Sequence, residues 1–369
     1  MKNILIFGAG EQGKQLISQY IKYKGKNKIL AIADNNASIE SYCDVPIIHP
    51  KQISQFDYDE IWVCTIHYMQ IRKQLIEVYG IDEKKIIYVE PVMPLVDERI
   101  RCKYASSLQG DNAKQTELSE VLEYVKYNPA RMYCYSFYDE YVHKDTPVYY
   151  DEDKKLYYAL HHSKRMYFSK KMDTELKARS YYNSIIMEQD ECSPHCYLKN
   201  KNINVAVSGI VVDVGAAEGV FALDIIDKAA HIYLIEVEED WIEALTYTFE
   251  PYLDRITIVR KFVSDFDDEE HCRLDTLFGD IKVDCIKMDI EGAEVDALRG
   301  AKSILMNQNI NLAICTYHHQ RDNEIIGEYL SELGYQTENS KGYVLCQGDW
   351  ELNNDEVDFR NAILFGYKN

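Results

Sequence analysis

Two stretches of the sequence decide the fold of its C-terminal part: residues 213–219 read DVGAAEG, and residues 285–294 read CIKMDIEGAE. The first follows the apolar run 209–212, so it predicts a buried strand that enters a glycine loop and opens a helix. The second predicts a buried strand that ends in acidic residues. In an open α/β sheet, ligands bind outside the carboxyl ends of the strands. The two stretches therefore predict a doubly wound domain that binds an adenosyl cofactor.

Apolar runs divide residues 206–369 into alternating strands and helices, with strands expected near 210–214, 231–236, 255–260, 283–288, 311–316, 342–346 and 361–367. This alternation predicts an α/β fold in which helices cover both faces of a largely parallel sheet. Two segments precede that domain. We expect a smaller α/β domain over residues 1–100 and a connecting segment over residues 101–205.

Residues 1–100 begin with the pattern of a nucleotide-binding domain. An apolar strand over 3–7 enters the turn GAGEQG, a helix follows over 14–23, and the next strand, 29–33, ends at an acid. Such glycines let the backbone approach a phosphate at the helix start, and the acid accepts from a ribose diol. We expect a nucleotide or nucleotide sugar here; the alternative is a fold used only for contacts between copies of the chain. The candidate residues are Gly8, Gly10, Gln12, Gly13 and Asp34.

The connecting segment holds 15 of the 30 tyrosines of the chain and combines helical and β-hairpin patterns. A hairpin is expected over 148–160, and a helix over 172–189 with Asp173 as its N-cap. A polar loop follows this helix. Glu188, Gln189 and His195 are our candidates for contact with a substrate, and the alternative is a polar turn before the next strand.

The composition excludes several classes of partner. A net charge of −20 disfavours nucleic acids and anionic membranes, which bind basic surfaces. No apolar stretch approaches the ~20 residues that a membrane span requires, and the first residues do not read as a signal peptide. The ten cysteines form no disulfide framework, so we expect reduced thiols in a cytoplasmic protein, including Cys192 and Cys196 beside His195. A homo-oligomer remains open.

The first strand end of the predicted C-terminal sheet suits the amino-acid tail of S-adenosylmethionine. Asp213 would accept from the ammonium group. Backbone N–H groups of the small-residue loop would approach the carboxylate at the helix start. The loop residues concerned are Gly215, Ala216, Glu218 and Gly219.

The next two strand ends suit the nucleoside part of the same cofactor. Glu236 follows the second strand, where a carboxylate can accept from both ribose hydroxyls. Ser264 and Asp265 follow the third strand and would reach the adenine amine. The alternative is a packed α/β domain whose glycines only form turns. Polar residues at successive strand ends favour a cofactor site, and S-adenosylmethionine makes the protein a methyltransferase.

The fourth and fifth strand ends indicate where the reaction takes place. Asp289 follows the buried fourth strand, at the expected place of the transferable methyl group. His318 follows the fifth strand and could take the proton of an attacking hydroxyl. His319 is a further candidate for substrate contact. Asp289, His318 and His319 could instead hold a divalent metal, which we rank below the base because no third carboxylate is evident nearby.

These residues resemble the FkbM-type family of S-adenosylmethionine-dependent methyltransferases over roughly residues 145–369. The matching motifs are DVGAAEG, Glu236 after its strand, LDTL at 274–277 and IKMDIEGAE at 286–294. The resemblance implies the seven-stranded class I methyltransferase sheet, with an antiparallel last strand over 359–367. One departure concerns Ala217 and Glu218, where many members have Asn after DVGA.

The resemblance also implies O-methylation, often of sugar hydroxyls in glycans. The N-terminal segment is similar to small Rossmann-like domains that are fused to sugar-modifying enzymes. We therefore expect methylation of a sugar hydroxyl in a bacterial surface glycan or its nucleotide-sugar precursor. Two alternatives are a nicotinamide-dependent sugar-nucleotide oxidoreductase centred on residues 8–13, and a nucleotide-sugar-binding scaffold with an inactive methyltransferase half.

Overall fold

The computed structural model describes residues 1–36, 41–108, 118–346, 348–354 and 356–368, with only the backbone for Asp349 and Trp350. The chain divides into two compact units. Unit 1 comprises Met1–Tyr135 and Gln347–Asp358, and unit 2 comprises Ser136–Cys346 and Phe359–Asn369. The residues of the expected connecting segment, 101–205, are thus shared between the two units. The three-part division of the chain stays a prediction.

Unit 1 contains a sheet and the helices around it. Its elements are β1 Asn3–Phe7, α1 Glu11–Lys22, β2 Lys28–Ala33, β3 Ser41–Tyr42, β4 Val45–Ile48, β5 Glu60–Val63, α2 Tyr68–Glu77, β6 Ile86–Tyr88, α3 Met93–Lys103, α4 Ser119–Tyr127 and α14 Asp349–Asn354, with 3-10 helices at Pro50–Gln55 and Glu83–Lys85. The six strands lie in the order β3-β4-β2-β1-β5-β6, and all neighbours are parallel except β3 with β4. The predicted α/β character of this part is confirmed.

Unit 2 begins with a small antiparallel sheet and a long helix. These elements are α5 Tyr138–Tyr141, β7 Val148–Asp151, β8 Leu156–His161, β9 Lys164–Tyr167, α6 Glu175–Glu188 and α7 Lys201–Ala206, with a 3-10 helix at Tyr197–Lys199. The N-cap of α6 is Thr174, whose side chain accepts from the backbone N–H of Lys177. The predicted cap at Asp173 was wrong by one residue, because a threonine hydroxyl satisfies the exposed helix N–H equally well.

The rest of unit 2 alternates strands and helices. Its elements are β10 Ile210–Val214, α8 Val220–Ile225, β11 His231–Ile235, α9 Glu239–Thr248, β12 Ile256–Val259, β13 Phe262–Val263, β14 His271–Cys272, α10 Leu274–Phe278, β15 Cys285–Met288, α11 Glu294–Arg299, α12 Lys302–Asn307, β16 Asn311–Cys315, α13 Asp322–Glu332, β17 Gln336–Asn339, β18 Val344–Cys346, β19 Asp358–Arg360 and β20 Ile363–Tyr367, with a 3-10 helix at Glu250–Tyr252.

Seven of these strands form one sheet in the order β12-β11-β10-β15-β16-β20-β17. The first five are parallel, and β20 is antiparallel to both β16 and β17. This arrangement confirms the predicted α/β fold with a seven-stranded sheet and an antiparallel last strand. The order of the strands along the sheet reverses direction between β10 and β15. The carboxyl ends of these two strands therefore adjoin at the place where doubly wound folds bind ligands.

Two strand predictions in this sheet were inaccurate. The edge strand is β17, whose four residues are all exposed, whereas the apolar residues predicted near 342–346 form β18 and pair with β19. The antiparallel strand starts at Ile363 rather than at 359. An exposed polar edge strand carries no hydrophobic pattern, so sequence periodicity favours the nearby apolar run instead.

The central strands explain the core of unit 2. Each of Val211, Val212 and Val214 in β10 is almost fully buried, and so are all four residues of β15. Parallel strands covered on both faces read as continuous apolar runs, because neither face meets water. One residue departs from this rule: Lys287 lies in the middle of β15 and is 5% exposed. No helix in the described parts of the chain is long and apolar enough to cross a membrane.

Candidate active site

The glycine loop after β10 brings two strand ends into backbone contact. Gly215 has a φ of +75°, and a Cβ atom at this position would overlap the carbonyl oxygen of Asp289, which follows β15. Gly219, with a φ of +81°, precedes α8 directly. Glycine is therefore required at residue 215 by both its backbone conformation and its surroundings. The close approach places the end of β10 against the end of β15.

Glu236 lies at the end of β11 and holds this loop. One carboxylate oxygen accepts from the backbone N–H of Ala217 at 2.8 Å, and the other accepts from Val237 at 2.7 Å and Glu238 at 2.9 Å. Ala217 has a φ of +45°, which a non-glycine residue adopts only when the surroundings hold it there. Each carboxylate oxygen can accept more than one hydrogen bond. Glu236 thus shapes the loop and keeps capacity for a ligand hydroxyl.

Asp213 faces a buried lysine instead of an open site. Its carboxylate lies 3.0 Å from the Nζ of Lys287, which also donates to the carbonyl oxygen of Gly215 at 2.7 Å. Burial raises the pKa of Asp213, although the charge of Lys287 opposes this. Burial likewise disfavours the charge of Lys287, but the charges of Asp213 and Asp289 outweigh it and raise the lysine pKa. The predicted contact of Asp213 with a cofactor ammonium is replaced by an internal ion pair.

The remaining loop residues point into the protein. Ala216 is buried, and its backbone N–H donates to Ile235 at 3.2 Å. Glu218 is also buried and accepts a hydrogen bond from the hydroxyl of Tyr181 on α6 at 2.6 Å. Burial raises the pKa of Glu218, and the hydrogen bond from Tyr181 opposes it. Glu218 therefore joins the loop to α6.

Ser264 and Asp265 follow the short strand β13 rather than β12. Ser264 is 9% exposed, and its carbonyl oxygen packs so closely on Gly300 that a Cβ atom there would overlap it. Asp265 is exposed. Across the described residues, neither side chain forms a hydrogen bond or ion pair with Glu236 or Asp289. The structure does not join these two residues to the cluster around the glycine loop.

Asp289 is the centre of a polar cluster at the end of β15. Its Oδ2 accepts from the hydroxyl of Tyr197 at 2.8 Å and lies 3.5 Å from the Nε2 of His195. Its Oδ1 lies 3.4 Å from the Nε2 of His318. Burial disfavours ionisation of Asp289, but the hydrogen bond from His195 and the charges of His195, Lys287 and His318 outweigh it and lower the pKa. One carboxylate thus lies between two histidines.

His318 is surrounded by carboxylates. Its Nδ1 lies 3.0 Å from Oε1 of Glu294, and its Nε2 lies 3.7 Å from Glu291 as well as near Asp289. Burial lowers the pKa of His318, but the hydrogen bond to Glu294 and the nearby carboxylates outweigh it and raise the pKa above its ordinary value. The structure therefore places both predicted reaction residues, Asp289 and His318, in one contact.

Glu294 is a site residue that the sequence reading missed. It opens α11, is fully buried, and accepts from the backbone N–H of Ile290 at 2.9 Å. An acid at a helix start is ordinarily a helix-capping residue, and this reading hid its contact with His318. The expectation that no third carboxylate lies nearby was therefore wrong, since Asp289, Glu291 and Glu294 all lie within 4 Å of His318. The two acids of the stretch IEGAE, residues 290–294, were the sequence signal that could have indicated this contact.

His319 does not join this cluster. Its ring packs on Gly292, where a Cβ atom would overlap the Nε2, and its backbone N–H donates to Asp322 at 2.8 Å. Gly292 has a φ of +101°. The metal set expected from the sequence, with His319 as a member, is thus not assembled. Among the described residues, two groups that include Asp289 have donor atoms within 4.8 Å of one another: Asp289, Glu294 and His318, and His195, Asp289 and Cys315.

The polar loop after α6 reaches the same cluster. Gln189 holds the loop: its side chain donates to the carbonyl oxygen of His195 at 3.4 Å and accepts from the N–H of Tyr197 at 3.3 Å. Glu188 ends α6, and burial raises its pKa to about 7. The Nε2 of His195 lies 3.5 Å from the sulfur of Cys315. The structure thus brings His195 to Asp289, with Gln189 in a supporting position.

The other residues that sequence reading missed have weak local signals. Tyr197 and Cys315 contact each other at 3.5 Å across 118 positions of the chain, a contact that no local pattern indicates. Lys287 had a signal, since a lone charge within a buried apolar strand requires a partner. Its partner, Asp213, lies on the neighbouring strand in direct register.

The predicted nucleotide loop of unit 1 has the expected glycine geometry, but Asp34 is engaged within the chain. Gly8 has a φ of +111°, and a Cβ atom on Gly13 would overlap the carbonyl oxygen of Gly8. Asp34 accepts from the N–H of Ala9 at 2.6 Å and from that of Asn36 at 2.7 Å. Gly10 and Gln12 are exposed beside Glu11, an acid in the first turn of α1. A negative charge there disfavours a phosphate.

Two family models match separate parts of the chain. Residues 251–343 match the family model described as methyltransferase FkbM domain, and residues 1–87 match the one described as C2185-like, N-terminal. The N-terminal match does not indicate a nucleotide-sugar domain, so that expectation is not confirmed. No curated protein matches the chain.

Solved structures of methyltransferases align with the chain at low identity. Methyltransferase FkbM from Methylobacillus flagellatus KT is 18% identical, covering 99% of this chain and 90% of that chain at a TM-score of 0.49. A putative methyltransferase from Streptococcus mutans in complex with SAH is 12% identical, covering 46% and 99% at a TM-score of 0.32. A putative RNA methyltransferase from Pyrococcus horikoshii is 15% identical, covering 43% and 74% at 0.30. Residues 251–343 of unit 2 thus match the methyltransferase FkbM domain, and unit 2 contains the seven-stranded α/β sheet.

Proposed function

We propose that the protein is an S-adenosylmethionine-dependent O-methyltransferase. Its acceptor is a sugar hydroxyl of a bacterial surface glycan or of the nucleotide-sugar precursor. The observation that carries the proposal is the contact between the glycine loop at Gly215 and the cluster around Asp289 and His318, at the carboxyl edge of the sheet. The match of residues 251–343 to a methyltransferase domain supports the same reaction class.

The charge of this edge suits a cationic cofactor. Asp289, Glu294 and Glu236 are buried or half-buried carboxylates. Within the described residues, Oδ1 of Asp289 and Oε2 of Glu294 accept no hydrogen bond. Their negative charge is thus not fully balanced by donors within the chain, so a ligand that carries positive charge is favoured at this edge. S-adenosylmethionine fits, because its sulfonium and ammonium groups are both positive.

Each part of the cofactor has a proposed position along the strand ends. Its amino-acid part is proposed to lie against the loop from Gly215 to Gly219, and Glu236 is proposed to accept from the ribose hydroxyls. Ser264 and Asp265 would approach the adenine. Because Asp213 is paired with Lys287, Asp213 acts by setting the position of the β15 end rather than by direct contact.

His318 is the proposed base. When bound, S-adenosylmethionine supplies the methyl group, which passes to the acceptor oxygen while the carbon–sulfur bond breaks. His318 takes the hydroxyl proton on Nε2, and the carboxylate of Glu294, 3.0 Å from Nδ1, favours the positive charge that the ring then acquires. Asp289, 3.4 Å from Nε2, stabilises the imidazolium that forms. The chain otherwise contributes by positioning the acceptor, which is the main requirement of an in-line displacement.

The acceptor site is proposed on the loop after α6. His195 contacts Asp289, and its Nδ1 has no hydrogen-bond partner in the described parts of the chain. Glu188 and Gln189 lie at the base of the same loop. A sugar carries several hydroxyls that both donate and accept, so it satisfies a loop of this composition better than an apolar acceptor would.

Calorimetric titration with S-adenosylmethionine tests the proposal. We expect wild type to bind, and Glu236→Gln to bind at least ten-fold more weakly, since the amide loses charge-assisted bonds to the loop and ribose. Glu238→Gln is the matched control, because that side chain is half exposed and pairs with Lys171. Absence of binding by wild type contradicts the proposal. A fluorescence response to NADH would favour the oxidoreductase alternative, and binding without any methyl transfer would favour the scaffold.

A further inference from the structure

A second cluster of potential metal ligands lies in unit 2 outside the residues assigned to methyl transfer. It consists of His161, His162 and Asp224, which each offer one donor atom within 4.8 Å of the others. The Nε2 of His161 lies 2.6 Å, and that of His162 3.3 Å, from the same oxygen of Asp224. Two imidazoles thus converge on one carboxylate.

The hairpin between β8 and β9 creates this convergence. Neighbouring residues of a strand point to opposite faces, so adjacent histidines meet only if the chain turns between them. His162 and Ser163 form the turn, with φ values of +48° and +66°. Turns that require two positive φ values usually contain Asn and Gly, which adopt them at lower cost. The turn thereby brings the two imidazole rings to a centroid distance of 4.4 Å.

The donor types are those of a transition-metal site. Two imidazoles and a carboxylate suit zinc, which binds nitrogen and oxygen ligands in tetrahedral geometry. The Nδ1 of His161 lies 3.1 Å from the hydroxyl of Tyr182. A metal-bound histidine ordinarily donates its other ring N–H to such a partner, which leaves the Nε2 lone pair for the ion. A carboxylate only accepts, so Nε2 of His161 donates to Asp224 while this hydrogen bond exists. Binding of the ion would move the ring proton to Nδ1, which then donates to the hydroxyl of Tyr182.

The spacing and access also fit. Ligand atoms ~2.0–2.1 Å from a tetrahedral zinc ion stand about 3.3 Å apart. The Nε2 of His162 already lies 3.3 Å from Oδ1 of Asp224. The 2.6 Å distance between Nε2 of His161 and the same oxygen must widen, because both atoms would then bind the ion instead of sharing a hydrogen bond. The side chain of His162 is 70% exposed, so an ion can enter from solvent.

We propose that His161, His162 and Asp224 bind a divalent ion of the zinc class, with a fourth position left to water. The ion ties the hairpin of β8 and β9 to α8, the helix that starts directly after Gly219 of the glycine loop. Its role is structural, because none of the three ligands contacts Asp289 or His318. The proposal does not depend on the methyltransferase function.

Zinc titration of the chelator-treated full-length protein tests this site, with a chromophoric chelator as competitor and Co²⁺ absorption as a second readout. We expect one tight site per chain and a tetrahedral Co²⁺ spectrum. His162→Ala, chosen because the residue is exposed, and Asp224→Asn should each weaken zinc binding at least ten-fold. Zinc should raise the Tm of wild type but not of His162→Ala.

The matched control is His318→Ala, which removes a histidine from one of the other candidate groups. This variant should keep the tight zinc site. Equal zinc affinity in wild type and His162→Ala overturns the proposal, as does a loss of the site in His318→Ala alone. A far-UV circular dichroism spectrum of His162→Ala equal to that of wild type shows that the variant is folded, so weakened zinc binding cannot be ascribed to unfolding.

Discussion

The Nδ1 of His318 lies 3.0 Å from the buried carboxylate of Glu294, while the Nε2 of the same ring faces Asp289 at 3.4 Å. One nitrogen of this ring thus lies beside a buried carboxylate, and the other faces the strand end where the acceptor is proposed. The relationship yields two predictions about the reaction, and two others concern the structure that supports it.

His318→Ala should lower the rate of methyl transfer by roughly 10²–10⁴-fold, the usual contribution of a general base. Binding of S-adenosylmethionine should remain, because the ring is proposed to act on the acceptor. Glu294→Gln should lower kcat less, since the amide can still hold the ring. Glu291→Gln, at an almost fully exposed side chain, is the matched control. An unchanged rate in His318→Ala removes this residue as the base.

Methyl transfer should increase with pH around the raised pKa of His318. The base acts only when neutral, and the nearby carboxylates hold its pKa above the ordinary value of 6.5. Activity is therefore low below that pKa, rises through it and levels above it. Glu294→Gln removes the negative charge that helps to raise the pKa, so the midpoint should move to lower pH. Rate measurements from pH 5 to 9 check this, and a midpoint unaffected by Glu294→Gln argues against the assignment.

Replacement of Lys287 by Met should destabilise unit 2 by about 3–5 kcal/mol, because Asp213 is left as an uncompensated buried charge. The double variant with Asp213→Asn should recover part of this loss, since the unpaired charge is then absent. Lys282→Met, at a side chain 80% exposed, should change stability little. Urea unfolding gives these free energies. Additive effects of the two substitutions would show that the ion pair is not coupled.

Gly215→Ala should be much more damaging than Gly334→Ala. Both glycines have positive φ, +75° and +82°, so both substitutions carry a conformational cost of roughly 1–2 kcal/mol. A Cβ atom at Gly334 meets no other atom within 4 Å, whereas one at Gly215 overlaps the carbonyl oxygen of Asp289. Gly215→Ala should therefore also weaken binding of S-adenosylmethionine, as calorimetry can measure. Equal effects at the two sites would mean that the backbone contact is unimportant.

The fold of unit 2 was largely predictable because its signals are local. The run before Asp213 indicates a strand, and the glycines after it indicate a turn, whatever lies elsewhere in the chain. The same local reasoning failed at β17, whose exposed residues carry no apolar pattern. Local reasoning also predicted that Asp213 contacts the cofactor ammonium, because the sequence does not show that Lys287 lies beside Asp213 on the neighbouring strand.

The sequence by itself determined the central strands of both sheets, the two glycine loops and the acids and histidine at the strand ends. Only the tertiary structure decided which of these side chains meet. Tyr197 reaches Asp289 across 92 positions, and His195 reaches Cys315 across 120. Local patterns report how neighbouring residues arrange the backbone, whereas such contacts depend on how whole elements pack. The partners of His318, and hence its protonation, are therefore properties of the folded chain.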